Sequence, residues 1–303
     1  MKFTKMRILS IIFFSTFILF SSCSKKQTEV SRNQTQKSNF KIASMSPTST
    51  EILSNLGLAS HLIAIDTWSA SVKDVPSTAV QFDMMNPDAE RIAALEPDLL
   101  LVSEITKAGT STDPFAALGQ MGIQVIYIET ALTINDIYRD IRSIAKLTGT
   151  EKKGESLIEQ MKKEISKIAK IGASIPIDKR KTVVFEISAA PYIYSFGSGV
   201  YLDELLTTVG AINILANQTG WLSVSGETIV AANPSVILTN INYIEDPVAE
   251  ICSRPGWDSL SAVRENQVYR IDSNSSSQPA PGIIKALKEI AKAVYPEYYS
   301  NLQ

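Results

Sequence analysis

The sequence predicts an α/β fold of two similar lobes with mainly parallel sheets, joined by one long α-helix with a cleft between the lobes. Three observations predict it. From residue 41 onward, apolar β-type runs alternate with amphipathic helical segments, the pattern of parallel sheets covered by helices. One helix–turn–strand segment recurs 137 residues further along. A long helical pattern separates the two series.

In the first series Lys41–Met45 reads as a strand. Ser46-Pro47 then opens a helix, with a capping side chain followed by Pro in the first turn. Thr48 and Glu51 offer a second capping box for the same helix. Ile52, Leu53 and Leu56 form its buried stripe, and Gly57 ends it. Leu62–Ile65, Asp98–Val102 and Gln124–Ile128 are further strands, the last two preceded by helices.

The second series begins after residue 181. Its strands are Thr182–Ile187, Ser235–Thr239 and Gln267–Ile271, and its helices are 200–209, 225–233 and 281–294. ERIAALEP (Glu90–Pro97) followed by DLLLV aligns without a gap with ETIVAANP (Glu227–Pro234) followed by SVILT. Each copy reads as a short helix, a Pro-marked turn and a buried strand.

Between the series, Thr133 and Asp136 form a capping box ahead of the stripe Ile137, Ile141, Ile144 and Ala145. After Gly149, Leu157, Ile158, Met161, Ile165 and Ile168 share one face, with Lys and Glu on the other. About 20 helical residues span about 30 Å, and a rod of that length restrains whatever it joins. The chain therefore divides into an N-terminal lobe (41–148), a connecting helix (149–172) and a C-terminal lobe (173–303).

Residues 1–22 have the form of an export signal: Lys2, Lys5 and Arg7, then a mostly apolar run from Ile8 to Phe20, then Ser21 and Ser22. The run is shorter than a spanning helix needs. Cys23 follows, and this junction resembles the lipobox of bacterial lipoproteins, which implies lipidation of Cys23 and an anchor at the membrane surface. The polar stretch 23–40 reads as a flexible tether. With Cys252 the only other cysteine, no disulfide is expected. The formal charge of −2 falls to about −5 once the three basic residues of the signal are removed. That excludes nucleic acid or anionic lipid as the main partner.

The blocks IASMSPTSTEILSNLGL, NPDAERIAALEPDLLLVSE, FGSGVYLDELLTTVGA, SVSGETIVAANPSVILTN and RPGWDSLSAVRENQVYRID occur in this order between residues 42 and 272. Together they resemble the helical-backbone periplasmic binding proteins, which serve ABC importers of ferric siderophores, haem and vitamin B12. The resemblance implies a monomer that holds a small-molecule ligand between its lobes, an iron chelate or corrinoid, and delivers it to a permease and its ATPase. It implies that Glu90 and Glu227, already paired by the internal repeat, meet arginines on the permease. Such exposed pairs orient docking more than they tighten it.

Ligands of open α/β sheets sit at the strand ends. Trp68, Tyr192 and Tyr243 follow predicted strands, and Trp221 stands six residues before Glu227. The resemblance assigns Trp68, Trp221 and Tyr192 to the ligand, whose large rigid faces aromatic rings suit. It also places Asn274 and Gln278 at the cleft. Similar chains often carry Arg near Gln278, and its absence speaks against an anionic chelate. Met84 and Met85 stand where a B12-binding relative has an aromatic residue. Trp257, inside RPGWDSL, reads as structural.

No cofactor or resident metal is expected: His61 is the one histidine, and a zinc site usually needs several ligands of that kind. Gly197-Ser198-Gly199 lacks the Lys of a phosphate loop and reads as the turn before helix 200–209. Without an evident base for a Ser or Cys nucleophile, hydrolysis has no support. The competing readings are a two-lobed lipoprotein acting as adhesin or sensor, and an enzyme on a related scaffold.

Overall fold

The computed structural model describes residues 39–107 and 113–302. The expected export signal, Cys23 and nearly all of the tether lie outside the described residues. Eleven strands are described: β1 (Ile42–Met45), β2 (Leu62–Asp66), β3 (Val80–Phe82), β4 (Leu99–Ser103), β5 (Gln124–Ile128), β6 (Thr182–Glu186), β7 (Tyr194–Phe196), β8 (Ile212–Asn213), β9 (Trp221–Ser223), β10 (Val236–Thr239) and β11 (Val268–Arg270). The helices that precede the second sheet are α1 (Pro47–Asn55), α2 (Ala89–Ala93), α3 (Ala116–Gln120), α4 (Ile134–Leu147) and α5 (Glu151–Ser174). Those that follow are α6 (Tyr201–Thr208), α7 (Gly226–Ala232), α8 (Pro247–Cys252), α9 (Ser261–Arg264), α10 (Ser273–Ser276) and α11 (Ile283–Val294).

The first lobe carries a five-stranded sheet in the order β3-β2-β1-β4-β5, all parallel. The second carries a parallel sheet in the order β11-β10-β6-β8, and β7 and β9 pair antiparallel beside it. Every strand predicted from sequence is present. Those missed, β3, β7, β8 and β9, are two or three residues long, too short for a periodic signal.

Alternation along the strands sorts their side chains into three apolar bodies. In β4, Leu99 and Leu101 point into one body while Leu100 and Val102 point into another. In β6, Val183 and Phe185 join that same first body, and Val184 joins a third. The first body is thus shared by both lobes, and it also receives Ile141 and Ile144 of α4, Ile158 and Ile168 of α5, and Leu287 and Ile290 of α11.

The internal repeat is structural. After α2 and after α7 a left-handed residue precedes proline, Glu96 (φ 52°) and Asn233 (φ 42°), and β4 and β10 follow at the same spacing. The predicted capping box of α4 is present, with Thr133 and Asp136 capping reciprocally. The connecting helix runs Glu151–Ser174 rather than 149–172, because Gly149 (φ +66°) first terminates α4. Its far end is pressed against the second lobe: a Cβ on Gly172 would run into the Thr208 carbonyl.

One expectation is corrected. Ser46 alone caps α1, and Glu51 does not form a capping box with Thr48. The Glu51 Oε1 instead accepts a hydrogen bond from Gly282 N of the second lobe at 2.5 Å, at the start of α11. The reverse arrangement occurs beside it. Glu204 of α6 accepts from Ile134 N at the start of α4 at 2.7 Å. Each lobe therefore places a carboxylate on the first turn of a helix of the other, where unpaired N–H groups and the helix dipole favour an acceptor.

Candidate functional site

A cavity of about 420 Å³ opens between the lobes. From the first lobe it is lined by residues that follow all five strands: Ser46, Pro47 and Thr48 after β1, Trp68 after β2, Met84 after β3, Ser103 and Ile105 at the end of β4, and Ile128 to Ala131 at the end of β5. From the second lobe come Asn242, after β10, and Ser273, Asn274, Ser277, Gln278 and Pro279, after β11. Parallel strands all present their C-terminal ends on one edge, which is why residues so far apart in sequence converge here. The volume lies in the range of small-molecule sites.

Trp68 is held from below. Asp66, fully buried, accepts from the backbone N–H of Trp68 at 2.9 Å and of Ser69 at 3.1 Å. The Ser69 hydroxyl bonds the other Asp66 oxygen and also donates to Thr50 Oγ1 at 3.0 Å. Thr50 donates in turn to Ser44 Oγ at 2.8 Å. Burial pushes the Asp66 carboxyl above its usual range, against the lowering effect of these hydrogen bonds. The indole it positions stays 58% exposed, an unusual exposure for a tryptophan and one that leaves its face open to a guest.

Of the residues singled out from sequence, Trp68, Asn274 and Gln278 line this cavity. Asn274 and Gln278 make no side-chain hydrogen bond among the described residues. Tyr192, Trp221 and Tyr243 are not among the lining residues. Trp221 lies in β9, half-buried, with its ring edge-on to Phe196 and Tyr201 at 5.9 and 6.0 Å. Tyr192 is 82% exposed. The Tyr243 hydroxyl accepts from Ala189 N at 2.9 Å, tying the loop after β10 to the loop after β6. Met84 lines the cavity and Met85 does not. Sequence reasoning missed Ser103, Glu129, Thr130 and Asn242, although each stands at the end of a predicted strand.

Glu90 and Glu227 are exposed in the first turns of α2 and α7, where Asp88 and Ser225 occupy the matching caps. Neither makes an ion pair among the described residues. Trp257 is buried, and the Arg254 guanidinium lies 4.4 Å from its ring centroid. His61 Nδ1 lies 2.8 Å from the Phe40 carbonyl, away from the cavity. Among the described residues no group of three or more His, Cys, Asp or Glu is placed to hold a metal, and no helix is long and apolar enough to cross a membrane.

Residues 42–275 match the family model described as "Periplasmic binding protein". An uncharacterized ABC transporter substrate-binding lipoprotein of Bacillus subtilis is 31% identical over 261 residues, 86% of this chain and 82% of that one. A vitamin B12-binding protein of Vibrio parahaemolyticus is 24% identical over 254 residues, 83% of this chain and 88% of that one. A crystal structure from Staphylococcus epidermidis, described as a possible iron-binding (periplasmic solute-binding) protein, shares 30% identity and superposes with a TM-score of 0.73. The superposition covers 86% of this chain and 100% of that one.

Proposed function

This chain belongs to the periplasmic binding protein family, and from that premise we propose that it captures an iron chelate or corrinoid in the interlobe cavity for an ABC importer. The family's members are substrate-binding transport proteins rather than enzymes. The observation that carries the reading is the cavity itself, built from the ends of every strand of one sheet and two of the other. Trp68, Asn274 and Gln278 are its ligand-facing residues in this reading. A chain of this kind works outside the cytoplasm. Cys23, once lipidated, would keep it at the membrane surface beside its permease and ATPase, with residues 23–40 as tether and the lobes at 41–148 and 173–303.

Glu90 and Glu227 are the proposed permease contacts. They occupy equivalent turns of the two repeats, are exposed, and lack partners within the described residues. The test is uptake in cells carrying Glu90→Lys and Glu227→Lys together, with ligand binding measured separately on the purified protein. Transport is expected to fail while binding persists. Normal transport by the double variant rejects the docking role.

A further inference from the structure

We infer that the cavity selects a guest without net negative charge, and that Glu129 meets a cationic part of it. The inference rests on the proposed reading of the cavity as a ligand site. Among the described lining side chains, the Glu129 carboxylate is the one formal charge. It follows the last residue of β5, is exposed, and makes no hydrogen bond or ion pair among the described residues. A carboxylate left free in a cleft is an electrostatic filter. The remaining polar groups are neutral. The amides of Asn242, Asn274 and Gln278 make no side-chain hydrogen bond within the described protein, so each can give or accept bonds to a guest.

Two lysines, Lys73 and Lys285, line an adjoining hollow that shares Trp68, Asn274 and Gln278 with the cavity. They do not make it anion-binding. Asp74 and Asp272 line the same hollow, and Lys285 pairs with Asp272 at 3.0 Å. A negative charge on a guest about 5 Å from Glu129 would therefore weaken binding by about 4-fold in water-like surroundings, and by some 200-fold at an effective dielectric near 20.

This divides the candidate guests by chemistry. Three hydroxamates neutralise Fe(III), and a pendant ammonium makes such a chelate cationic. Cobalt(III) in a corrin ring leaves a neutral or cationic complex. Tricatecholate and citrate complexes of iron are anionic. Haem carries two carboxylates and needs an axial His, Tyr, Cys or Met, of which, among the described residues, Met84 alone lines the cavity.

The described residues all fall within one compact unit, so the test can use residues 24–303. Tryptophan-fluorescence titrations would compare pairs differing in one charge: ferrioxamine B with its N-acetylated form, and aquacobalamin with cyanocobalamin. A ferric tricatecholate, ferric citrate and haem are the anionic probes. A neutral or cationic probe is expected to bind at least about 10-fold tighter than any anionic one. Glu129→Gln should weaken the cationic member of the bound pair about 4-fold or more, abolish the salt dependence of its affinity, and leave the neutral member unchanged. An anionic probe that binds as tightly as the others overturns the inference but leaves the ligand site standing. Equal loss for both members of a pair makes Glu129 structural and overturns its assigned role. Binding by no probe removes the proposed function, and the inference with it.

Discussion

Glu51 links the lobes, and its environment makes that link titratable. Burial raises its carboxyl from the usual 4.5 to about 7, outweighing the lowering effect of the hydrogen bond from Gly282 N. A carboxyl with a raised native pKa binds more protons folded than unfolded. Its favourable contribution is thus complete below pH 4.5 and lost as pH climbs through 7. Across that window the loss is up to about 3 kcal/mol. Glu51→Gln cannot titrate, yet its side-chain oxygen can still accept from Gly282 N. Urea unfolding of both proteins from pH 4.5 to 8 isolates the effect. Asp140, raised to about 6 by burial, and the raised Asp66, Glu186 and Glu204 are common to both. The variant is expected to gain on the parent as pH rises, by up to about 3 kcal/mol at pH 8. Glu51→Ala should instead lose about 1–3 kcal/mol at every pH, because Gly282 N–H loses its acceptor. A Gln-minus-parent difference that does not change with pH would refute the account.

Two further outcomes follow from the packing. Glu186 is fully buried, and Arg254 grips it through two bonds of 2.8 and 2.9 Å while also holding Glu250. Arg254→Ala should cost about 3–5 kcal/mol in urea unfolding by stranding that carboxylate, and replacing Glu186 with Gln as well should recover part of the loss. A loss under about 1 kcal/mol would mean that water reaches Glu186. The two tryptophans should separate cleanly. Trp68→Ala should lower ligand affinity about 30-fold or more with an unchanged unfolding midpoint. Trp221→Ala should lower stability by about 3–5 kcal/mol, because its ring packs on Phe196 and Tyr201. The reverse pattern would exchange their roles.

The fold was legible wherever periodicity had room to show. α4, α5 and α11 carry stripes over 12 to 24 residues, and β1, β4, β6 and β10 are apolar runs buried on both faces. The repeat announced itself because ERIAALEP and ETIVAANP, each followed by an apolar run, align without a gap 137 residues apart, and the structure gives both copies a left-handed residue before proline, Glu96 and Asn233. Glu51 was misassigned because Thr48 and Glu51 have the local spacing of a capping box, while the actual partner, Gly282, lies 231 residues away. No local pattern encodes such a pairing. The cavity lining was legible in part for a related reason. The strand-end rule singled out Trp68 and the resemblance Asn274 and Gln278, all of which line the cavity, but neither could distinguish a ring open to the cavity from one folded onto the lobe, as Trp221 is.

The apolar body shared by the two sheets has a thermodynamic consequence. Val183 and Phe185 of one sheet and Leu99 and Leu101 of the other belong to a single cluster with α4, α5 and α11. Neither half owns its full interior. A gene divided within the connecting helix would yield two fragments, each with a bare oily flank, and calorimetry of the intact chain should record one endotherm rather than a pair.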